Sequence, residues 1–229
     1  MPSGATQAAR AAQRPANPPD LDRLLSSALT LMLRGGIRST AFGDVVQASG
    51  LSEDTVRKYC SDWESLLLKL LENIEQDVIE AMIAEVSKAP PTAEAKLGAF
   101  VESITKATPG RVARLSLLVM VGAEFGNGEG RIAARANRLY THLYRTIEGI
   151  IQFGWLRGTF RTDIPVKDLT MSLVGALTGT VLEARRLGGS VIDPVQFDRA
   201  VRLVLLRGIE DRLSLERVLS GYSAPGYHP

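Results

Sequence analysis

The chain of 229 residues contains one cysteine, Cys60, and two histidines, His142 and His228. A lone thiol excludes an internal disulfide and any multi-cysteine zinc site, and so few imidazoles exclude a histidine-rich metal centre. No metal or cofactor is expected. No uninterrupted apolar run reaches the roughly 18 to 20 residues of a membrane helix, and the N-terminus lacks the apolar stretch of a signal peptide. No membrane association is therefore expected, and the cytoplasm is the expected compartment. There is no P-loop, dinucleotide fingerprint, His-Glu-x-x-His or G-x-S-x-G motif, so nothing points to an enzyme. Strong charge of either sign is lacking too: a formal +2 and a pI near 8.8 neither demand nor forbid a nucleic-acid partner.

What is present is a globular composition, 45% hydrophobic and 23% charged, enough to bury a sizeable core. Residues 1–19 are rich in Ala, Pro, Gln and Arg without apolar periodicity and read as a tail. Beyond them the periodicity is helical. Leu21, Leu24, Leu25, Ala28, Leu29, Met32 and Leu33 form one stripe of a helix over 21–34, with Asp20 as its cap and Gly35-Gly36 ending it. A short helix over 41–49 follows a Thr40 cap, Gly50 makes a turn, and a third helix runs from a Ser52 cap to about Cys60. A fourth runs from 61 or 62 to about 86, with Leu67, Leu70, Leu71, Ile74, Val78, Met82 and Val86 on its apolar stripe, before Pro90-Pro91. Further helices are expected at about 92–107, 110–125, 129–154, 166–187 and 194–213, separated by Gly- and Pro-bearing breaks. The fold class is all-α: a three-helix head, a long connecting helix and a larger helical body, about nine helices in all.

Three short helices with a glycine corner between the second and third have the layout of a helix-turn-helix. Gly36-Ile37-Arg38-Ser39-Thr40, Val45-Val46-Gln47-Ala48-Ser49-Gly50-Leu51-Ser52, Thr55-Val56 and Ser61-Asp62-Trp63-Glu64-Ser65-Leu66 together strongly resemble the TetR/AcrR family of bacterial transcriptional regulators. Gly154-Trp155-Leu156-Arg157-Gly158-Thr159-Phe160-Arg161-Thr162-Asp163 is similar to the loop this family places between its seventh and eighth helices. The resemblance implies a homodimer with a DNA-binding head over 20–66, a ligand-binding and dimerisation body over 67–213 and a C-terminal tail over 214–229. It also implies double-stranded operator DNA and a small-molecule effector as partners, with repression relieved by that effector. The chain departs from the family pattern at Glu53-Asp54, where Lys-Gly is usual, and at Arg57, Cys60 and Trp63.

The candidate DNA-binding residues are Arg38, Thr40, Ser52, Glu53, Asp54, Thr55, Arg57, Lys58 and Tyr59. Arg57 suits a guanine edge and Lys58 a phosphate, while the hydroxyls suit phosphate oxygens. The two acids are read three ways: caps complementing the helix dipole, acceptors for a cytosine amino group, or marks of lost DNA affinity. Over 20–66, Arg23, Arg34, Arg38, Arg57 and Lys58 face seven carboxylates, a net of −2, which disfavours approach to phosphates. The alternative function is therefore a sensor or protein-binding dimer without autonomous DNA binding. Ligand-pocket candidates are Phe100, Met120, Glu124, Phe125, Tyr140, Tyr144, Trp155 and Met171, an apolar set with a few polar groups. Dimer-interface candidates, on two helices suited to half of a four-helix bundle, are Leu173, Ala176, Leu177, Thr180, Phe197, Val201, Val204 and Leu205.

Overall fold

A computed structural model describes residues 17–105, 109–186 and Arg199. Among them there are eight helices and no strand. α1 (Pro19–Gly35), α2 (Phe42–Ser49) and α3 (Glu53–Arg57) form the head. α4 spans 63–88 as a continuous rod of three pieces: Trp63–Ile74, a π-helical Glu75–Glu80, and Ala81–Lys88. α5 (Ala93–Thr105), α6 (Pro109–Phe125), α7 (Arg131–Leu156) and α8 (Val166–Arg186) form the body. The ninth expected helix and the C-terminal tail lie outside the described residues, Arg199 excepted.

The head is built as its sequence dictates, with local differences. α1 begins two residues earlier than its Asp20 cap suggests, because Pro19 at the first helical position needs no side-chain cap: Pro18 is the N-cap residue and makes none. Gly36 at φ 99° and Gly50 at φ 64° make the two corners, conformations that cost other residues. α2 starts at Phe42, and the Asp44 carboxylate accepts the Ala41 N–H at 3.3 Å. Thr40 does not cap it: buried, it donates its hydroxyl to the Gly36 carbonyl at 2.8 Å. α3 is capped by Ser52, whose Oγ accepts the Thr55 N–H at 3.3 Å, and is shorter than expected, ending at Arg57.

α4 is the spine. Leu66, Leu67, Leu70, Leu71, Ile74 and Ile79 are all fully enclosed, each stabilising the fold by about 1.5–3 kcal/mol. The π segment breaks the regular period, so that the neighbours Val78 and Ile79 are both buried. The rod packs on α1 in the head and on α5, α6 and α7 in the body, α1 also touches α6, and α7 and α8 pair. One continuous apolar core results, running from Leu21 to Val181.

Asp62 caps α4 by accepting the Ser65 N–H at 2.8 Å, and the Asp62 N–H in turn donates to Ser65 Oγ at 3.1 Å. The corner after α7 is set by Phe160, whose ring is buried on Gly154; a Cβ there would lie inside the ring's van der Waals surface. The N–H groups of Thr159 and Phe160 both donate to the Gly154 carbonyl, at 3.0 and 3.2 Å, and Gly158 takes φ 68°.

Candidate functional site

α3 turns Val56 into the core and leaves Ser52, Glu53, Asp54, Arg57 and Lys58 exposed on one surface. Val56 and Cys60 anchor it from below. Burial pushes the Cys60 thiol up to about 11, so the group is a neutral packing side chain rather than a nucleophile. Glu53 and Asp54 occupy the first turn, where carboxylates complement the N-terminal end of the helix. Glu53 also reaches along the helix to Arg57, Oε2 to Nη2 at 3.9 Å. The acid and the base therefore partly neutralise each other in the free protein, in an exposed pairing of about 0.3–0.5 kcal/mol. Thr55 shares a 2.9 Å hydroxyl contact with Ser52, and half-buried Tyr59 packs against the core. Of the hydroxyls expected to meet phosphates, that of Thr40 is turned inward because its donor is spent on Gly36.

Arg38 belongs to a different constellation. Its guanidinium stands 4.6 Å from the centre of the Phe125 ring, its Nη2 donates to the Glu124 carbonyl at 3.4 Å, and its Nε lies 3.7 Å from Glu124 Oε2. Phe125 also meets Trp63 at the entry to α4, with ring centroids 6.2 Å apart. A head residue expected to face DNA and two body residues expected to line a pocket thus come together where α6 ends against the head. Glu124 and Phe125 therefore stand at a junction between head and body.

The other pocket candidates divide by burial. Phe100 is fully enclosed core, Met120 is part-buried, and Tyr140 stacks over Gly122, its hydroxyl 3.4 Å from the Leu118 carbonyl and pushed up to about 12 by burial. Trp155 buries its indole N–H with no hydrogen-bond partner among the described residues. Tyr144 and Met171 face outward, Met171 at 63% exposure. Helical spacing places residues on a stripe without saying which stripe faces in. The same holds for α8: Leu173 and Leu177 are buried in the chain's own core, Ala176 and Thr180 lie at its edge, and the exposed stripe is Met171, Gly175, Gly179 and Leu182. Phe197, Val201, Val204 and Leu205 lie outside the described residues.

Two polar networks escaped the sequence reading. Asn73 and Asp77 on α4 meet Arg114 of α6, at 2.7 Å for Asn73 Oδ1 to Nε and 3.4 Å for Asp77 to Nη2. Glu75, between them in sequence, accepts from Arg135 of α7 at 2.6 Å and lies 3.5 Å from His142. Both begin on or beside the π segment, and only the clustering of polar residues on an apolar helix could have hinted at them.

No family model matches the chain, and no curated protein matches it. Solved structures do. The MbdR regulator from Azoarcus sp. CIB superimposes with a TM-score of 0.72 at 26% identity, over 84% of this chain and all of its own. The regulator FadR from Bacillus subtilis, in complex with stearoyl-CoA, gives 0.66 at 16% identity, over 82% of this chain and 99% of its own. A TetR-family transcriptional regulator from Agrobacterium tumefaciens gives 0.66 at 18% identity, over 80% and 94%. The chain has the fold of TetR/AcrR-family transcriptional regulators, and these neighbours are regulators rather than enzymes. No helix among the described residues is long and apolar enough to cross a membrane.

Proposed function

We propose that the protein is a ligand-responsive transcriptional repressor that binds a near-palindromic operator as a homodimer and leaves it when a small molecule enters the body. The observation that carries this reading is the exposed polar face of α3, held on the Gly50 corner by Val56 and Cys60 and left uncovered by the described residues. A face so presented suits the major groove, with Arg57 as the base-reading side chain once it exchanges Glu53 for a guanine edge. Lys58 then serves phosphate.

The exposed stripe of α8 supports dimerisation. Met171, Gly175, Gly179 and Leu182 are small or apolar and let a second helix approach closely. The unpartnered Trp155 N–H supports a ligand acceptor within the body, since buried donors are rarely left unmet. A similar fold that holds stearoyl-CoA supports an effector with a large apolar part. The Arg38, Glu124, Phe125 and Trp63 junction is the route by which a shift of α6 would reach the head.

A second reading, a dimeric sensor without autonomous DNA binding, is favoured by the head's net charge of −2 and by the Glu53–Arg57 pairing. A binding selection of the full-length protein against a randomised duplex pool, at low and moderate salt, separates the two. Enrichment of a near-palindrome with half-sites about one helical turn apart supports the repressor. Failure to enrich any site at low salt supports the sensor.

A further inference from the structure

We infer that the groove between α4 and α7 is a binding site for the phosphate groups of a small organic anion, separate from the effector pocket of the body and from the α3 surface. The groove is open to solvent and offers about 510 Å³, a volume within the range of small-molecule sites. Its walls carry Lys69 from α4 and Arg131, Arg135 and Arg138 from α7, against one carboxylate, Glu72; Leu68 and Ala134 supply apolar surface.

The cations are not evenly neutralised. Lys69 pairs with Glu72 at 2.8 Å, Arg135 with Glu75 at 2.6 Å, and Arg131 only grazes Glu64 at 4.0 Å. Arg138 is exposed and has no carboxylate partner among the described residues. Glu64 and Glu75 stand just outside the lining, so a positive excess survives even when both are counted. The arrangement is regular: Arg131, Arg135, Arg138, His142 and Arg145 follow one another by four and three residues along α7, one stripe beside its buried stripe of Ala133, Ala136, Leu139, Leu143 and Ile147. At 1.5 Å per residue the stripe runs about 21 Å.

The opening of α7 adds to this field. Gly130 is its N-cap residue and makes no side-chain cap, and the N-terminal end of a helix favours an anion. Guanidinium groups from one helix and an ammonium from the other line the same groove, the side-chain types that pair with phosphate oxygens. A furrow between two packed helices admits a small ligand, whereas a duplex could only lie across its rim.

The test is calorimetric titration of the full-length protein with tripolyphosphate at about 0.15 M salt, where diffuse attraction is screened beyond about 8 Å. Saturable binding is expected, weakened about tenfold by Arg138→Ala and abolished by Arg138→Glu, with melting temperatures unchanged because the side chain is exposed and unpaired. Arg145→Ala, on the same stripe but outside the groove, should bind as wild type does. Absence of binding, equal affinity in Arg138→Ala, or an equal loss in Arg145→Ala would each overturn the proposal. So would an Arg138→Ala variant that keeps tripolyphosphate binding and loses only duplex affinity, since the cations would then serve DNA.

Discussion

Replacing Phe125 by Ala probes a place where side chains from the head, the spine and the end of α6 meet. The half-buried ring would forfeit about half of the 1.5–3 kcal/mol that full burial supplies, or about 1 kcal/mol. Its tilted contact with Trp63, at 6.2 Å between centroids, contributes about 0.5–1.5 kcal/mol. The Arg38 guanidinium at 4.6 Å, largely exposed, contributes about 0.5–1 kcal/mol more. A total loss of about 2–3.5 kcal/mol is therefore expected on Phe125→Ala. The Arg38–Glu124 ion pair is excluded from that sum, being 69% and 32% exposed and worth about 0–1 kcal/mol. The assay is denaturant unfolding of wild type, Arg38→Ala, Phe125→Ala and the double variant. A coupling of about 0.5–1 kcal/mol between the two sites is expected; losses that add within about 0.3 kcal/mol would show that the guanidinium and the ring do not interact.

Two other perturbations test the local chemistry. Gly154→Ala should cost about 1–3 kcal/mol, read as a lowered melting temperature, because its Cβ drives the buried Phe160 ring out of place; a variant as stable as wild type would refute the close packing of that corner. The Asp62 carboxylate is held below the usual carboxylate range, first by the Ser65 N–H and then by the Ser61 and Ser65 hydroxyls. Its contribution is present above the ordinary carboxylate pKa and is lost as pH falls through the lowered one. Wild type should therefore melt above Asp62→Asn, which keeps a cap without the charge, at neutral pH, and the gap should close in acid; a gap that ignores pH would contradict the assignment.

The helices were legible because apolar residues recur at helical spacing from Leu21 to Val181 and because Gly36 and Gly50 punctuate them. The π segment was not, since Val78 and Ile79 both face inward only after the widened turn resets the period. Nor was phase: on α8, Leu173 and Leu177 belong to the chain's own core while Met171 faces out, and spacing alone is silent on which stripe a neighbour covers. Ser52 was readable as a cap, but Thr40 was misread as one because its hydroxyl finds a closer acceptor in Gly36. Arg38, Glu124 and Phe125 were each singled out singly; that they form one junction depends on where α6 ends in space. The α7 cations stand at readable intervals, yet the helix facing them, and so the groove, is a property of packing.

The central claim is that the exposed face of α3 reads DNA through Arg57. Isotherms of wild type, Arg57→Ala and Lys58→Ala on a selected duplex and its single-base variants test it most directly. Arg57→Ala should lose about 1–3 kcal/mol and relax one base position, while Lys58→Ala should weaken every duplex alike and flatten the salt slope. Identical affinity of all three proteins for every duplex would contradict the claim.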